Sequence, residues 1–237
     1  MSVIARAFAG AIALAAITGV SSSAARGQTQ QEFNWCIAEN DPTADQRISG
    51  CTAVIQARKL KGKGLAFAFI NRGVAYYQKR QYDQAIDNYD QAIKLNPKYA
   101  IAFNNRCAVY NDKGEYDHAI QECNQAIKLN PKYADAFFNR GFSFQDKSQY
   151  DRAIQNYDQA IKFDPKFAEA FFNRGNIYQN KDQFDRAIQD YDHVIMLNQN
   201  HAGAFYNRSL AKKQKGDNAG AEVDLAAARK INPNIGR

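Results

Sequence analysis

Four cysteines, Cys36, Cys51, Cys107 and Cys123, and three histidines, His118, His193 and His201, are the side chains best equipped for covalent or metal chemistry. Thiols in that number can attack a substrate, hold a metal or pair as disulfides, and spacing separates these uses. No two of them form a C-x-x-C pair, which argues against a thiol redox centre. The three histidines form no shared constellation, so no metal is expected. Nucleophile motifs and phosphate-cradling glycine loops are missing too. The chain reads as a non-enzyme without a cofactor, and the chemistry left to its residues is that of binding.

The elements that must position these residues begin after a distinct N-terminus. Arg6 is followed by the apolar run Ala7 to Val20 and then by Ser21-Ser22-Ser23-Ala24-Ala25-Arg26-Gly27. A charged start, a short apolar centre and small residues at the exit describe a secretory signal peptide, assigned to residues 1–27. Ala24, Ala25 and Gly27 all fit as the cleavage position. The run is shorter than the ~20 residues a spanning helix needs, so no stable membrane span is expected after cleavage. An uncleaved anchor helix is the alternative. The expected location is periplasmic or secreted.

Beyond it the text repeats. Pro97, Pro131, Pro165 and Pro233 fall on a common spacing, with Gln199 filling the one missing slot. Ala66-Phe67-Ala68-Phe69-Ile70-Asn71-Arg72-Gly73 matches Ala134-Asp135-Ala136-Phe137-Phe138-Asn139-Arg140-Gly141 closely. The frames run 66–99, 100–133, 134–167, 168–201 and 202–235. Each reads as two helices. Tyr82, Ala85, Ile86, Tyr89, Ala92 and Ile93 follow one helical face. The endings Leu95-Asn96-Pro97 and Leu129-Asn130-Pro131 stop the second helix. Gly114 and Gly216 supply turn chemistry between the two. Small residues recur where helices must approach, at Gly73, Gly141 and Gly175 and at Ala85, Ala119, Ala153, Ala187 and Ala221.

This period and these columns resemble the tetratricopeptide repeat, in a version exported by bacteria. The resemblance covers residues 66–235 and implies an all-α, right-handed α-solenoid of tandem helix-turn-helix repeats. Phe stands where that pattern commonly has tryptophan. The fifth copy departs, with Ser209, Lys212 and Leu225, and reads as a C-terminal cap. Residues 28–65 hold no clean copy. Trp35-Cys36-Ile37 and Ile48, Cys51, Val54 and Ile55 point to a degenerate helical hairpin capping the front, its second helix opening near Asp41-Pro42-Thr43. Lys59 to Gly64 is expected to be a flexible joint.

Cys107 replaces the glycine of its frame and Cys123 the tyrosine, and Cys51 falls in the same tyrosine column. Two similar pairs across two hairpins argue for disulfides Cys36–Cys51 and Cys107–Cys123, with four buried free thiols as the alternative. The formal charge of +7 raises the question of nucleic acid. Most of the excess has a helical explanation. Lys79, Lys113, Lys147, Lys181 and Lys215 end first helices, and Lys94, Lys128, Lys162 and Lys230 end second ones. The dipole favours cations there, and Asp83, Asp117, Asp151 and Asp185 early in the second helix. No nucleic-acid partner is expected.

The resemblance further implies that first helices line a concave surface holding an extended peptide or a partner helix. It places Asn71, Asn105, Asn139, Asn173 and Asn207 on that surface, where an amide can pair with any peptide backbone. Local bonds between helices are the competing use of these amides. Beside them lie Ile70, Asn104, Phe138, Phe172 and Tyr206, and one turn on Val74, Ala108, Phe142, Asn176 and Leu210. Exposed aromatics in a row suggest a covered partner surface, against the alternative that they tuck between repeats. Asp112, Asp135, Asp146 and Glu169 edge it. The column Arg72, Arg106, Arg140, Arg174 and Arg208 fits packed stems with heads paired to Asp90, Asp158 or Asp192 better than an anion stripe. The reading that results is a non-catalytic protein–protein interaction scaffold of the cell envelope with a protein or peptide partner. A cell-wall glycan binder using the aromatics and a self-assembling solenoid are the alternatives.

Overall fold

The computed structural model describes residues 23–236, which form twelve α-helices with no strand among them. In chain order these are α1 (Ser23–Cys36), α2 (Ala44–Gln56), α3 (Gly62–Gln78), α4 (Tyr82–Leu95), α5 (Ala100–Asp112) and α6 (Tyr116–Leu129). They continue as α7 (Ala134–Asp146), α8 (Tyr150–Phe163), α9 (Ala168–Asn180), α10 (Phe184–Leu197), α11 (Ala202–Gln214) and α12 (Asn218–Ile231). Two compact units result. The first ends at Pro131 and contains α1 to α6; the second starts at Lys132 and contains α7 to α12. In each, an odd-numbered helix turns back as the next even-numbered one, giving tandem helical hairpins. No described helix is long and apolar enough to cross a membrane. The signal segment expected at the N-terminus lies outside the described residues up to position 22, and Ser23 to Gly27 open α1.

The helix limits follow from local chemistry. Between hairpins, a polar residue before the turn closes it with its own side chain. Asn96 accepts from the Lys98 amide at 3.3 Å, Asp164 from Lys166 at 3.0 Å and Asn198 from Asn200 at 3.0 Å. That is why Asn or Asp, not merely proline, follows α4, α8 and α10. Within hairpins the turn needs a left-handed residue. Gly114 and Gly216 supply it, and Arg80, Ser148 and Asp182 adopt the same positive φ without that freedom. At the front, Thr43 opens α2 with a capping box: its hydroxyl accepts from the Gln46 amide at 3.2 Å and its own amide donates to Gln46 Oε1 at 2.9 Å.

One expectation about the joint is corrected. Gly62, Lys63 and Gly64 belong to α3, so the segment between α2 and α3 is only residues 57–61. Helix wins because Leu60 packs against the core around Cys36, Cys51 and Ala68, which anchors the entry to α3.

Inside the hairpins the two helices come closest at one column. A Cβ on Gly73 would meet the Tyr89 ring at 2.6 Å, and one on Gly141 would meet Tyr157 at 2.8 Å. Tyr89, Tyr157 and Tyr191 are completely buried there. The α5–α6 hairpin solves the same crossing with a disulfide, Cys107–Cys123, with Cα atoms 5.5 Å apart. The α1–α2 hairpin does so with Cys36–Cys51, at 4.5 Å. All four sulfurs are buried and none is free. A bond thus stands where glycine and tyrosine stand elsewhere.

That equivalence is testable. Cys107→Ser with Cys123→Ser is expected to lower the unfolding free energy by about 3 kcal/mol through the lost cross-link. Cys107→Gly with Cys123→Tyr should recover at least half of the loss, because it restores the packing used by α3–α4. Urea unfolding of both variants beside the native chain reads the difference, and equal instability of the two would refute the equivalence.

Candidate functional site

The asparagine column faces inward rather than out, which corrects the expectation of a peptide-gripping ladder. Asn71, Asn105 and Asn139 are buried, and Asn173 and Asn207 are half-buried. Asn71 donates to the Cys36 carbonyl at 2.8 Å, Asn173 to the Tyr157 hydroxyl at 3.5 Å and Asn207 to Asn176 Oδ1 at 2.8 Å. Each of these bonds reaches the preceding hairpin. These three amides tie their hairpins to the one before, since a buried amide favours whatever partner lies nearest.

The tyrosines complete this network in the second unit. Tyr157 donates to Gln145 Oε1 at 2.9 Å, and the Tyr191 hydroxyl lies 2.9 Å from Asn176 Oδ1 and 3.0 Å from Gln179 Oε1. Burial pushes both hydroxyls well above the ordinary tyrosine range, so they act only as neutral hydrogen-bonding groups. In the first unit Tyr77 takes the position of those glutamines and gives its hydroxyl to Asp112 instead. Tyr89 and the Asn105 amide there are buried without a partner.

The aromatic row divides as well. Ile70, Val74, Asn104 and Ala108 are buried in the first unit, where Ile70 and Val74 belong to one core with Ala102 and Val109 of α5. Phe138 is buried too, stacked on Phe167 with centroids 4.8 Å apart and tilted against Tyr157. Ile70, Val74 and Phe138 are therefore corrected from surface to core, because α5 packs over the first two and Phe167 over the third, and Asn104 and Ala108 are buried as well. Phe142, Phe172, Asn176, Tyr206 and Leu210 stay half-exposed, all on first helices of the second unit. Phe172 packs edgewise on Tyr191 and His201, leaving part of its ring accessible. Asp146 and Glu169 are exposed in the same unit and Asp135 is half-buried.

The arginine column is a set of staples. Arg174 gives Nε and Nη2 to Asp190 at 2.9 and 2.6 Å and Nη1 to Asp158 at 2.5 Å. Arg208 repeats this with Asp224 and Asp192, and Arg106 with Glu122 and Asp90. Asp90, Asp158 and Asp192 are the partners expected from the sequence. Each guanidinium also sits over the Phe three residues before it, 5.5 Å from the Phe171 centroid in the case of Arg174. The second acid, at Glu122, Asp190 and Asp224, was missed. Its signal was present: that column is always polar although it adjoins the buried tyrosine column. Also missed was the pairing of Lys79 with Asp45, Lys113 with Asp83, Lys181 with Asp151 and Lys215 with Asp185, each joining one hairpin to the previous.

Arg72 differs. Its partners are Asn88 Oδ1 at 2.8 Å and Thr52 Oγ1 at 3.0 Å, both neutral. It lines a polar cleft of about 370 Å³ with Asp87, Asn88, Asp90, Gln91 and Lys94. Charges of both signs line that cleft, so it has no bias toward an anion or a cation. No group of Cys, His, Asp or Glu among the described residues is arranged to hold a metal.

Comparison with known proteins agrees with this geometry. Family models described as TPR repeat match residues 108–148 and 143–182, and models described as Tetratricopeptide repeat match residues 66–99 and 168–201. Together they span more than half of the chain. It belongs to the tetratricopeptide repeat family. No curated protein sequence matches it. Among solved structures, MamA is similar at a TM-score of 0.62 and 23% identity, covering 68% of this repeat protein and 94% of MamA. MamA from Desulfovibrio magneticus RS-1 gives 0.63 and 14%, covering 73% and 97%. YrrB, described as a TPR protein with an unusual peptide-binding site, gives 0.60 and 24%, covering 78% and 93%. At these identities the likeness concerns the fold of the tetratricopeptide array alone.

Asp224 offers a test of the staples. It is 2% exposed and accepts from Arg208 and from Lys212, the latter at 2.8 Å. Burial pushes its carboxyl up, but the bonds from Arg208 and Lys212 prevail and hold it below the usual carboxylate range. The unfolded chain therefore binds the proton more readily, and the stabilisation is complete above about pH 4 and lost as pH falls through the lower folded value. Asp224→Asn should cost about 1–3 kcal/mol at neutral pH. The gap to the native chain should close in acid below the ordinary aspartate range, and a gap independent of pH in chemical unfolding would contradict the assignment.

Proposed function

We propose that this tetratricopeptide protein is a non-catalytic scaffold of the cell envelope that binds a peptide or a partner helix on the first helices of its second unit. The observation that carries this reading is the accessible row Phe142, Phe172, Asn176, Tyr206 and Leu210. Aromatic and aliphatic side chains left half-exposed in one row favour a covering partner, and rigid aromatic anchors supply most of the energy in such contacts. Asp146 and Glu169 lend this face a mildly acidic border. The family's general role in holding proteins or peptides supports the reading, as does the peptide-binding site for which YrrB is described.

Placement in the envelope, periplasmic or secreted, rests on the signal-peptide pattern of residues 1–27 and on the two buried disulfides, which persist in oxidising compartments. An N-terminus at Gln28, or one set by cleavage after Ala24 or Ala25, is expected for the chain recovered from that compartment.

Affinity capture from envelope extract tests the function, with the native chain beside Phe142→Ser/Tyr206→Ser as bait. Both substitutions lie outside the asparagine network, so the variant should keep its helical content in circular dichroism. Protein partners should be retained by the native bait and reduced at least about tenfold on the variant, as loss of two aromatic anchors implies. Equal recovery on both baits would move the site elsewhere. Displacement by soluble wall glycan, or recovery of only the chain itself, would favour the sugar-binding or self-assembling readings.

A further inference from the structure

The first unit has two edges, one formed by the turns inside hairpins and one by the loops between them. Antiparallel packing fixes which residues share an edge. Thr52 meets Arg72 across α2 and α3, Asp83 meets Lys113 across α4 and α5, and Cys107 is bonded to Cys123 across α5 and α6. The ends of α2, α4 and α6 and the starts of α3 and α5 therefore lie on one side. That side carries Arg58, Lys59, Lys61, Lys63, Lys94, Lys98 and Lys128, all exposed. Residues 52–65, 91–101 and 123–131, which build it, contain no acid. The acids next along these helices are Asp90 and Asp87 on α4 and Glu122 on α6, and Asp90 and Glu122 are both held by Arg106.

Helix dipoles explain only part of this set. Lys94 and Lys128 sit at helix C-termini, where the dipole welcomes them. Lys61 is the N-cap of α3, Lys63 lies in its first turn, and Lys98 directly precedes the N-cap of α5. The dipole opposes positive charge at all three, and neither helix has an acid in its first turn. In the second unit the corresponding first turns of α7 and α9 hold Asp135 and Glu169. At Lys61, Lys63 and Lys98 the first unit thus carries charge against local preference, which marks a surface kept for binding.

We propose that this edge docks on an anionic lipid bilayer. Six of the seven cations are lysine, suited to a diffuse plane of headgroups rather than to the bidentate recognition that favours arginine. Leu95 is exposed between Lys94 and Lys98, and Leu60 is half-exposed between Lys59 and Lys61. Lysine with interspersed leucine fits the boundary of headgroup and acyl chain. An acidic protein would instead need desolvated pockets for its anchors, and the edge consists of loop residues and helix ends. This surface belongs to the first unit alone and stands whatever the second unit's face binds.

Sedimentation of the full chain with vesicles tests it, using phosphatidylcholine alone and phosphatidylcholine mixed equally with phosphatidylglycerol. Lys61→Gln/Lys63→Gln/Lys98→Gln removes three charges from the edge; Lys79→Gln/Arg80→Gln/Lys113→Gln removes three from the opposite one. The native chain should prefer anionic vesicles, and the first variant should lose at least about tenfold in partitioning, as expected for several lysines at a charged surface. The second should lose far less. The first variant should also melt no lower than the native chain, since its lysines oppose their helices. Equal losses in both variants would reduce the effect to net charge and overturn the proposal. So would equal binding to both kinds of vesicle, or binding of polyglutamate as tight as that of anionic vesicles.

Discussion

Where the two helices of a hairpin cross, one residue of the first faces one residue of the second with no room for two ordinary side chains. Gly73 with Tyr89, Gly141 with Tyr157 and Gly175 with Tyr191 solve this by giving all the volume to one partner. Interiors pack at crystal density, so the ring cannot retreat if a methyl group appears opposite it. The crossing fixes how close the helices lie, and that closeness brings the asparagine and arginine columns within hydrogen-bond range of the preceding hairpin. Cys107–Cys123 and Cys36–Cys51 keep the same closeness by a covalent bond. The two solutions differ in what they need. Glycine and tyrosine need only burial, whereas the disulfide needs an oxidising environment to form.

Once hairpins are formed, their stacking within each unit rests on polar contacts that are worth little or much according to burial. The lysine–aspartate pairs at the turns are exposed on the acid side, and pairs of that kind contribute only about 0–1 kcal/mol each. The arginines are different. Asp190 and Asp224 are buried beside the tyrosine column, and losing a partner would strand a charge there. Each arginine of this kind grips its own hairpin through one acid and the previous hairpin through the other. A staple of that design fixes spacing and angle together, which an apolar contact alone does not.

Much of this was legible in the sequence because repetition turns single residues into columns. The fold class, the helix pairing and the arginine partners Asp90, Asp158 and Asp192 could be read from text alone. The disulfide pairing was readable because Cys107 and Cys123 replace members of the same facing pair. The orientation of the asparagine column was not. Asn71 and Asn207 have the same neighbours in sequence whether they face a ligand or the helix behind them, and a carbonyl such as that of Cys36 is invisible in a sequence. Nor could the text show that Phe138 is covered while Phe172 is not, since that depends on how far the following hairpin reaches over each ring.

The charge total is also less informative than its placement. On the turn edge of the first unit, Lys79 and Lys113 are answered by Asp45 and Asp83, and Asp41, Asp112, Glu115 and Asp117 add further acids there. On the loop edge no acid stands beside Lys61, Lys63 or Lys98. The second unit brings acids back to the same loop positions, with Asp135, Asp164 and Glu169 beside Lys132, Lys162 and Lys166. A repeat array copied from one ancestral unit would distribute charge evenly unless something acted on particular copies. The uneven pattern follows sequence changes at a few exposed loop positions, which cost the packed columns little because the loop residues that do reach the core, Leu60 and Phe167, are not among them. Variation can therefore give one edge a binding property while the crossings, amides and arginine staples that hold the hairpins together stay as they are.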